Sequence, residues 1–529
     1  MNKLLPSLIL TTFISGCATQ IKELPDETKI DVPEKWDVII TERGTELSNK
    51  TSENQNQDTE AAESQPEPTP VINEPVADGW LDTFQDDDLS KYIEIALKNN
   101  PDLLISAATL KTAIENVTIT GANLWPSVSA SISNNDIEIQ GDQFNSGLNS
   151  GINTDVRTIS GTLNVSWEAD IWGKLTQRKK AAVYDALAQS ELYNNAEFSL
   201  VANVSRAWYN LVTNKLQLDL AYQRLDSFRR TSDLIEENYK RGLRSALDVY
   251  SSRTDVQTQI SSLADTKLSY TESLRTFKTL LGQYPNTDLT FEADLPDLNE
   301  PIPAGLPAEL LTRRPDIKAS QLQYEAQIAT AKSANRDRYP SITFNGSISD
   351  SRDSFNQLFE DNSLVLRLLT GVTQPIFQAG ELKSREQQAL YQAEAAYATL
   401  VKTTLNAYQE VENALSREIL LTEQKDAIQE AVGFAENGFE LALDRYQSGI
   451  ENYTTVLESQ RRLFDSKRSE INIRNALLQN RIGTHLALGG DFTNLERDIV
   501  DTLPSIYELS DSNESADEIE IAEPNQTTE

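Results

Sequence analysis

Apolar and polar residues alternate from Ser127 to Ser133, where Val128, Ala130 and Ile132 interleave with serines. They alternate again where Ile342, Phe344 and Ile348 interleave with Ser341, Thr343, Asn345 and Ser349. A period of two is the signature of a strand with unlike faces. Each segment leads into a polar, Gly- and Asn-rich loop (141–154 and 350–362), and a second alternating run returns through Leu163, Val165 and Trp167, or through Leu364, Leu366 and Leu368. The pattern predicts two hairpins, with strands at about 126–138 and 156–168, and at about 340–349 and 363–377.

Both return strands hand over directly to helical sequence, at Trp167-Glu168-Ala169-Asp170-Ile171-Trp172-Gly173 and at Gln374-Pro375-Ile376-Phe377-Gln378-Ala379-Gly380. From each glycine, some 65 residues run almost without Pro or Gly to Gly242 and to Gly449. At 1.5 Å per residue that is a helix of roughly 100 Å, about three times a bilayer's hydrocarbon thickness. Ala389, Ala393, Ala396, Leu400, Ala407, Val411 and Ala414 recur by threes and fours, the spacing of a coiled-coil seam built from small residues. Helices returning from the turns are expected to reach Leu281-Gly282 and Leu488-Gly489-Gly490, with Ser245 and Asn452 as N-caps. Long helices therefore span about 171–282 and 380–488.

The chain is built twice. Asn100-Pro101-Asp102 and Trp125-Pro126-Ser127 reappear 214 residues later as Arg314-Pro315-Asp316 and Tyr339-Pro340-Ser341, and Gly173 and Gly242 reappear 207 residues later as Gly380 and Gly449. The boundaries are a first repeat over 79–300, a second over 301–492 and an acidic tail over 493–529. Order is expected to begin at Trp80, with a helix opening at Asp88-Leu89.

Ahead of the repeats, Lys3 and an apolar run from Leu4 to Ile14 precede Ile14-Ser15-Gly16-Cys17. The run is too short to span a bilayer and has the form of a signal peptide. The stretch resembles a bacterial lipoprotein signal (1–16), which implies that Cys17 is acylated; Ala18 after it implies outer-membrane sorting. Residues 17–78 are acidic and Pro-rich, too polar to bury a core, and read as a disordered tether.

Composition narrows the chemistry. A net charge of −34 opposes any nucleic-acid partner. One Cys and one His (His485) leave no disulfide, no Cys/His metal site and no Cys/His nucleophile pair. His485 reads as a polar residue near a helix end, and Asp86-Asp87 as surface carboxylates. No enzyme and no cofactor are expected. An amphipathic four-strand sheet cannot stand in lipid with open edges, so several copies must combine.

Together these motifs, with Gly305-Leu306-Pro307, Arg313-Arg314-Pro315-Asp316-Ile317, Glu410-Val411-Glu412-Asn413-Ala414-Leu415 and Ala487-Leu488-Gly489-Gly490, resemble the outer-membrane efflux protein family, the TolC-like channels, and within it the OprM-type lipoproteins, over Trp80 to Phe492. The resemblance implies a mainly α fold with a membrane β-barrel portion. It implies a homotrimer whose copies share a twelve-stranded barrel and an α-helical periplasmic tunnel. It implies a passive exit duct for small toxic compounds, drugs or metals, working with a periplasmic adaptor and a proton-driven inner-membrane transporter. The same duct serving an ATP-driven protein exporter is the alternative; an anchored scaffold without a pore is disfavoured by the amphipathic hairpins. Adaptor contacts carry over to Gly242, Leu243, Ser245, Asp248, Gly449 and Val456. A channel gate carries over to Thr455 and Glu458, where Glu458 is acidic and Thr455 stands where the family commonly has Asp.

Overall fold

The computed structural model describes Trp36, residues 71–72, 78–140, 153–298, 302–303, 305, 307–358 and 364–492. The expected signal peptide, Cys17, most of the tether and the acidic tail lie outside the described residues.

A short turn over Trp80–Phe84 leads to α1 (Asp87–Asn99) and α2 (Pro101–Ala122), and the first hairpin follows as β1 (Ser127–Gln140) and β2 (Asn153–Ala169). Then come α3 (Lys174–Lys240) and α4 (Ala246–Leu280). The second repeat is α5 (Pro315–Arg336), β3 (Ser341–Arg352), β4 (Val365–Thr373), α6 (Glu381–Gln447) and α7 (Tyr453–Ala487). Helices match in pairs: α2 and α5 have 22 residues each, α3 and α6 have 67, α4 and α7 have 35. Strand β4 stops at Thr373 rather than at 377, because Pro375 has no N–H to give the ladder.

The four strands form one antiparallel sheet in the order β1-β2-β3-β4, so the β2–β3 ladder joins the two hairpins. Register sorts the faces. Val128, Val165, Gly346 and Leu368 lie in one row across the sheet, and Ala130, Leu163, Ile348 and Leu366 in the next. The opposite face carries Ser129, Asn164, Ser347 and Arg367, then Ser127, Ser166, Asn345 and Leu369. The apolar face is exposed, with Leu366 and Leu368 each 77% accessible. From Ile159 to Ala169 it covers ten rises of about 3.3 Å, which at a tilt of ~40° gives a band of about 25 Å. No described helix is long and apolar enough to cross a membrane.

Helix α3 is the spine of the helical part, packing on α1, α2, α4, α5 and α7, while α5 sits between α3 and α6. The largest core gathers Trp80, Phe84, Leu89, Ile93, Trp208, Tyr209, Phe277 and Ile482. Each repeat closes alike. Asn100 Nδ2 donates to Leu280 O at 2.8 Å, and 214 residues on Arg314 Nη1 donates to Ala487 O at 3.0 Å. The glycine that ends each hairpin, at φ +69° in Gly282 and +67° in Gly489, lies where a Cβ would be 2.4 Å from Asn99 O or 3.1 Å from Arg313 C.

Three expectations need correction. Asp86 is no idle surface carboxylate: its Oδ1 accepts from the N–H groups of Asp88 and Leu89, capping α1, and its Oδ2 accepts from Trp208 Nε1 at 2.8 Å. His485 does lie in the last turn of α7, but it is buried, its ring parallel to Trp80 at 5.4 Å. Within the supposed tether, Trp36 is buried against Tyr408 and donates Nε1–H to Gly305 O at 3.1 Å, and Val71–Ile72 pair with Ile302–Pro303.

Candidate functional site

Two regions gather the residues singled out in the sequence: the strand-to-helix junctions and the helix turns at the far ends of α3 and α6. At the first junction Asp170 caps α3 from outside, its oxygens accepting from Leu175 N at 2.8 Å and Thr176 N at 2.7 Å. Gly173, at φ +70°, lets Arg336 of the other repeat close in and donate to its carbonyl at 2.7 Å. Trp172 stacks on Tyr339 at 5.4 Å and donates to Pro340 O, and Trp167 stacks on Phe344 at 5.4 Å. Lys174 and Arg178 complete the clasp on Asp337. The second junction is tied differently: Gln374 Nε2 donates to Arg338 O at 3.1 Å, and Asn335 and Arg338 both donate to the buried Glu386 of α6, at 2.6 and 2.8 Å, while nothing lies within 4 Å of a Cβ on Gly380, and Ile376 and Phe377 are exposed.

At the turns, Gly242 (φ +75°) and Gly449 (φ +77°) take the left-handed conformation that reverses each chain, both open to solvent. Ser245 Oγ accepts from Asp248 N at 3.2 Å and caps α4; Asn452 Oδ1 accepts from Thr455 N at 3.0 Å and caps α7. Leu243 is exposed and Asp248 half-buried. Val456 is different. Its side chain is 0% exposed, packed with Ile235, Val249, Tyr446 and Tyr453, so it secures the tip from inside and offers no contact surface.

Of the two residues expected at a gate, Thr455 also donates through Oγ1 to Glu451 Oε1 at 3.0 Å, making it part of the cap. Glu458 is exposed on a groove of about 510 Å³ with Ile428, Ala431, Arg461, Arg462 and Asp465. The strongest ties at this end were not singled out from the sequence. Asp255 of α4 accepts from Tyr453 Oη at 2.9 Å and from Arg461 Nη2 at 2.7 Å, both on α7. Burial, and the Asp255 carboxylate next to it, push the Tyr453 hydroxyl well above its ordinary pKa, so it stays a donor. Arg244 lies 4.0 Å above the Tyr446 ring and donates to its carbonyl at 2.6 Å. An Asp, two arginines and two tyrosines in and beside long helices carry no local motif. Only their partners some 200 positions away, 198 for Tyr453 and 202 for Tyr446, give them meaning.

Among the described residues no group of three or more His, Cys, Asp or Glu could hold a metal ion.

A sequence profile described as outer membrane efflux protein matches residues 92–283 and 306–490, one match in each repeat. The toluene efflux pump outer membrane protein TtgC of Pseudomonas putida is 28% identical over 415 residues, 78% of this chain and 85% of that one. The pyoverdine export outer membrane protein OpmQ of Pseudomonas aeruginosa is 29% identical over 415 residues, 78% and 87% of the two chains. Among solved structures, the CmeC outer membrane channel of Campylobacter jejuni superposes with a TM-score of 0.74 at 22% identity, covering 86% of this chain and 98% of that one. The transmembrane channel CusC superposes with a TM-score of 0.70 at 25% identity, covering 81% and 99%. Both repeats, the paired hairpins and the long helices are thereby accounted for together, and the chain belongs to the outer membrane efflux protein family, as an outer-membrane channel protein that extends into the periplasm and is not an enzyme.

Proposed function

We propose that three copies close a twelve-stranded barrel and a periplasmic helical tunnel, and that this duct passively carries small toxic compounds to the exterior. The observation that carries the reading is a sheet with one exposed apolar face and two open edges, whose strands continue into 67-residue helices. Open edges in hydrocarbon would leave N–H and C=O groups unpaired, at several kcal/mol each, so β1 and β4 call for further strands. The internal repeat supports the same closure for the helices. Helix α5 lies between α3 and α6, whereas its counterpart α2 packs on α3 and leaves Leu104, Ile105 and Ile119 exposed. Tyr391, Leu405, Leu420, Phe434 and Leu441 are likewise exposed along α6, where an α2 from another copy would lie.

The relatives' named cargoes, toluene and pyoverdine, favour small solutes over polypeptides. A periplasmic adaptor would meet Gly242, Leu243, Ser245, Asp248 and Gly449, and a proton-driven inner-membrane transporter would supply the energy. Glu458 and Thr455 would stand at the closing end. Acylated Cys17 would anchor each copy to the outer membrane. Native mass spectrometry joined to planar-bilayer recording tests the duct: a trimer with stepwise conductance is expected, and a monomer that leaves the bilayer silent would sink it. Photocrosslinking from Ser245 in cells tests the partner. An adaptor of a proton-driven pump is expected, and capture of an ATP-driven exporter's adaptor would shift the cargo to polypeptides.

A further inference from the structure

The polar face of the sheet is mostly hydroxyl and amide. Among its described residues two are charged, Glu168 and Arg367. Glu168 stands at the strand-to-helix junction, where Lys174 Nζ neutralises it at 2.5 Å. Arg367 stands four rungs up the ladder, about 13 Å away. Its row holds Asn164, midway between Ile159 and Ala169, so it lies at the middle depth of the apolar band. It is exposed, and among the described residues it has neither an ion pair nor a hydrogen-bond partner. On the opposite face, by contrast, Asp136 pairs with Arg157 and Asp350 with Arg352.

Closing the barrel supplies no counter-charge. The strand that would flank β4 is β1 of the next copy, and the described residues on its polar face, Ser127, Ser129, Ser131, Ser133, Asn135 and Ile137, are uncharged. A cation left unpaired at that depth, in a chain of net charge −34, needs a partner from solution. We propose that Arg367 from three copies forms a cationic ring in the bore, which binds solutes that carry carboxylate, sulfonate or phosphate groups. The inference rests on the duct reading and names a class of solute for it. Twelve strands about 4.8 Å apart and tilted by about 40° enclose a bore about 24 Å across between backbones. Reaching about 6 Å inward, the three guanidinium groups would stand about 10 Å apart. That spacing is close to the Debye length of about 8 Å at physiological ionic strength, so an anion on the axis feels all three charges. The planar guanidinium fork matches an oxyanion with two parallel N–H donors, and rings of arginine favour anions in pores.

The trisulfonated dye pyranine tests the ring by fluorescence anisotropy on the intact assembled protein, a readout that does not depend on whether the far end is open. One dye per three chains is expected. Arg367→Gln keeps a polar side chain on the polar face and should weaken binding at least about tenfold, whereas Arg367→Lys keeps the charge and should bind within about threefold of wild type. Binding should also fade in 1 M KCl, where the Debye length is about 3 Å. Equal affinity in wild type and Arg367→Gln, or a loss in Arg367→Lys as large as in Arg367→Gln, would overturn the ring. Native mass spectrometry and bilayer recording of the same samples judge the duct separately. A conducting wild-type trimer whose dye binding ignores Arg367 keeps the duct and loses the ring; a silent monomer loses both.

Discussion

At the residue scale, the most consequential group is the one whose type drew least attention in the sequence. His485 lies against Trp80, and neither ring nitrogen has a hydrogen-bond partner among the described residues. Burial, and the nearby Arg481 charge, push its pKa down from 6.5 to about 3. Below pH 6.5 the unfolded chain takes up a proton that the folded chain refuses until about pH 3. Stability is therefore lost as pH falls through that window, by about 2 kcal/mol between pH 6.5 and 5. Urea melts of wild type and His485→Phe at those two pH values should show a smaller acid penalty for the variant; equal penalties would mean that His485 does not sense the proton. Arg481 itself is paired with Glu418, the carboxylate only 1% exposed. Glu418→Ala would remove the carboxylate from a buried ion pair and should cost roughly 3–5 kcal/mol, read as a lower unfolding midpoint. Neither effect was legible in the sequence, where His485, Glu418 and Arg481 are ordinary residues on polar helices. Burial by distant aromatics is a property of the packed chain.

At the element scale much could be read in advance, because helix ends follow local rules. Ser245 and Asn452 cap where their spacing said they would, and Gly173, Gly242, Gly380 and Gly449 all have positive φ. The alternation of Val128, Ala130 and Ile132 and of Ile342, Phe344 and Ile348 gave the correct faces, since a period of two leaves one choice of register once one face is apolar. The tie between α4 and α7 could not be read this way, as Asp255 and Tyr453 are 198 positions apart. It yields its own expectation. Asp255→Asn keeps the shape but removes the charge that Arg461 holds, so the two hairpins should part more readily at the turns, and single-channel recordings should show openings several-fold more frequent than in wild type. An unchanged opening frequency would leave the tie a purely structural one.

At the scale of the whole molecule, the sheet sets what substitutions the chain can bear. Leu366 and Leu368 lie on the apolar face with Ile348 and Gly346, and Asn345 and Ser347 lie on the other. Leu366→Arg should cost roughly 2–4 kcal/mol near the middle of the band and lower the yield of membrane-inserted protein. Asn345→Arg, on the polar face, should insert normally and alter only the conductance. Comparable losses from both would mean that the faces are assigned the wrong way round.

The equal helix lengths carry a last consequence. The two repeats differ by 214 − 207 = 7 residues in offset, and the whole difference falls between the aromatic-Pro pairs that open the hairpins and the glycines that open the long helices. Within the hairpins and their loops the two halves have drifted freely, whereas 67 still answers 67 and 35 still answers 35. A single residue added to α6 would advance its far end by about 1.5 Å and rotate everything beyond it by about 100°, swinging Tyr446 out from under Arg244. Such a helix behaves as a ruler with its marks cut on one side, and neither its length nor its phase can change without the other.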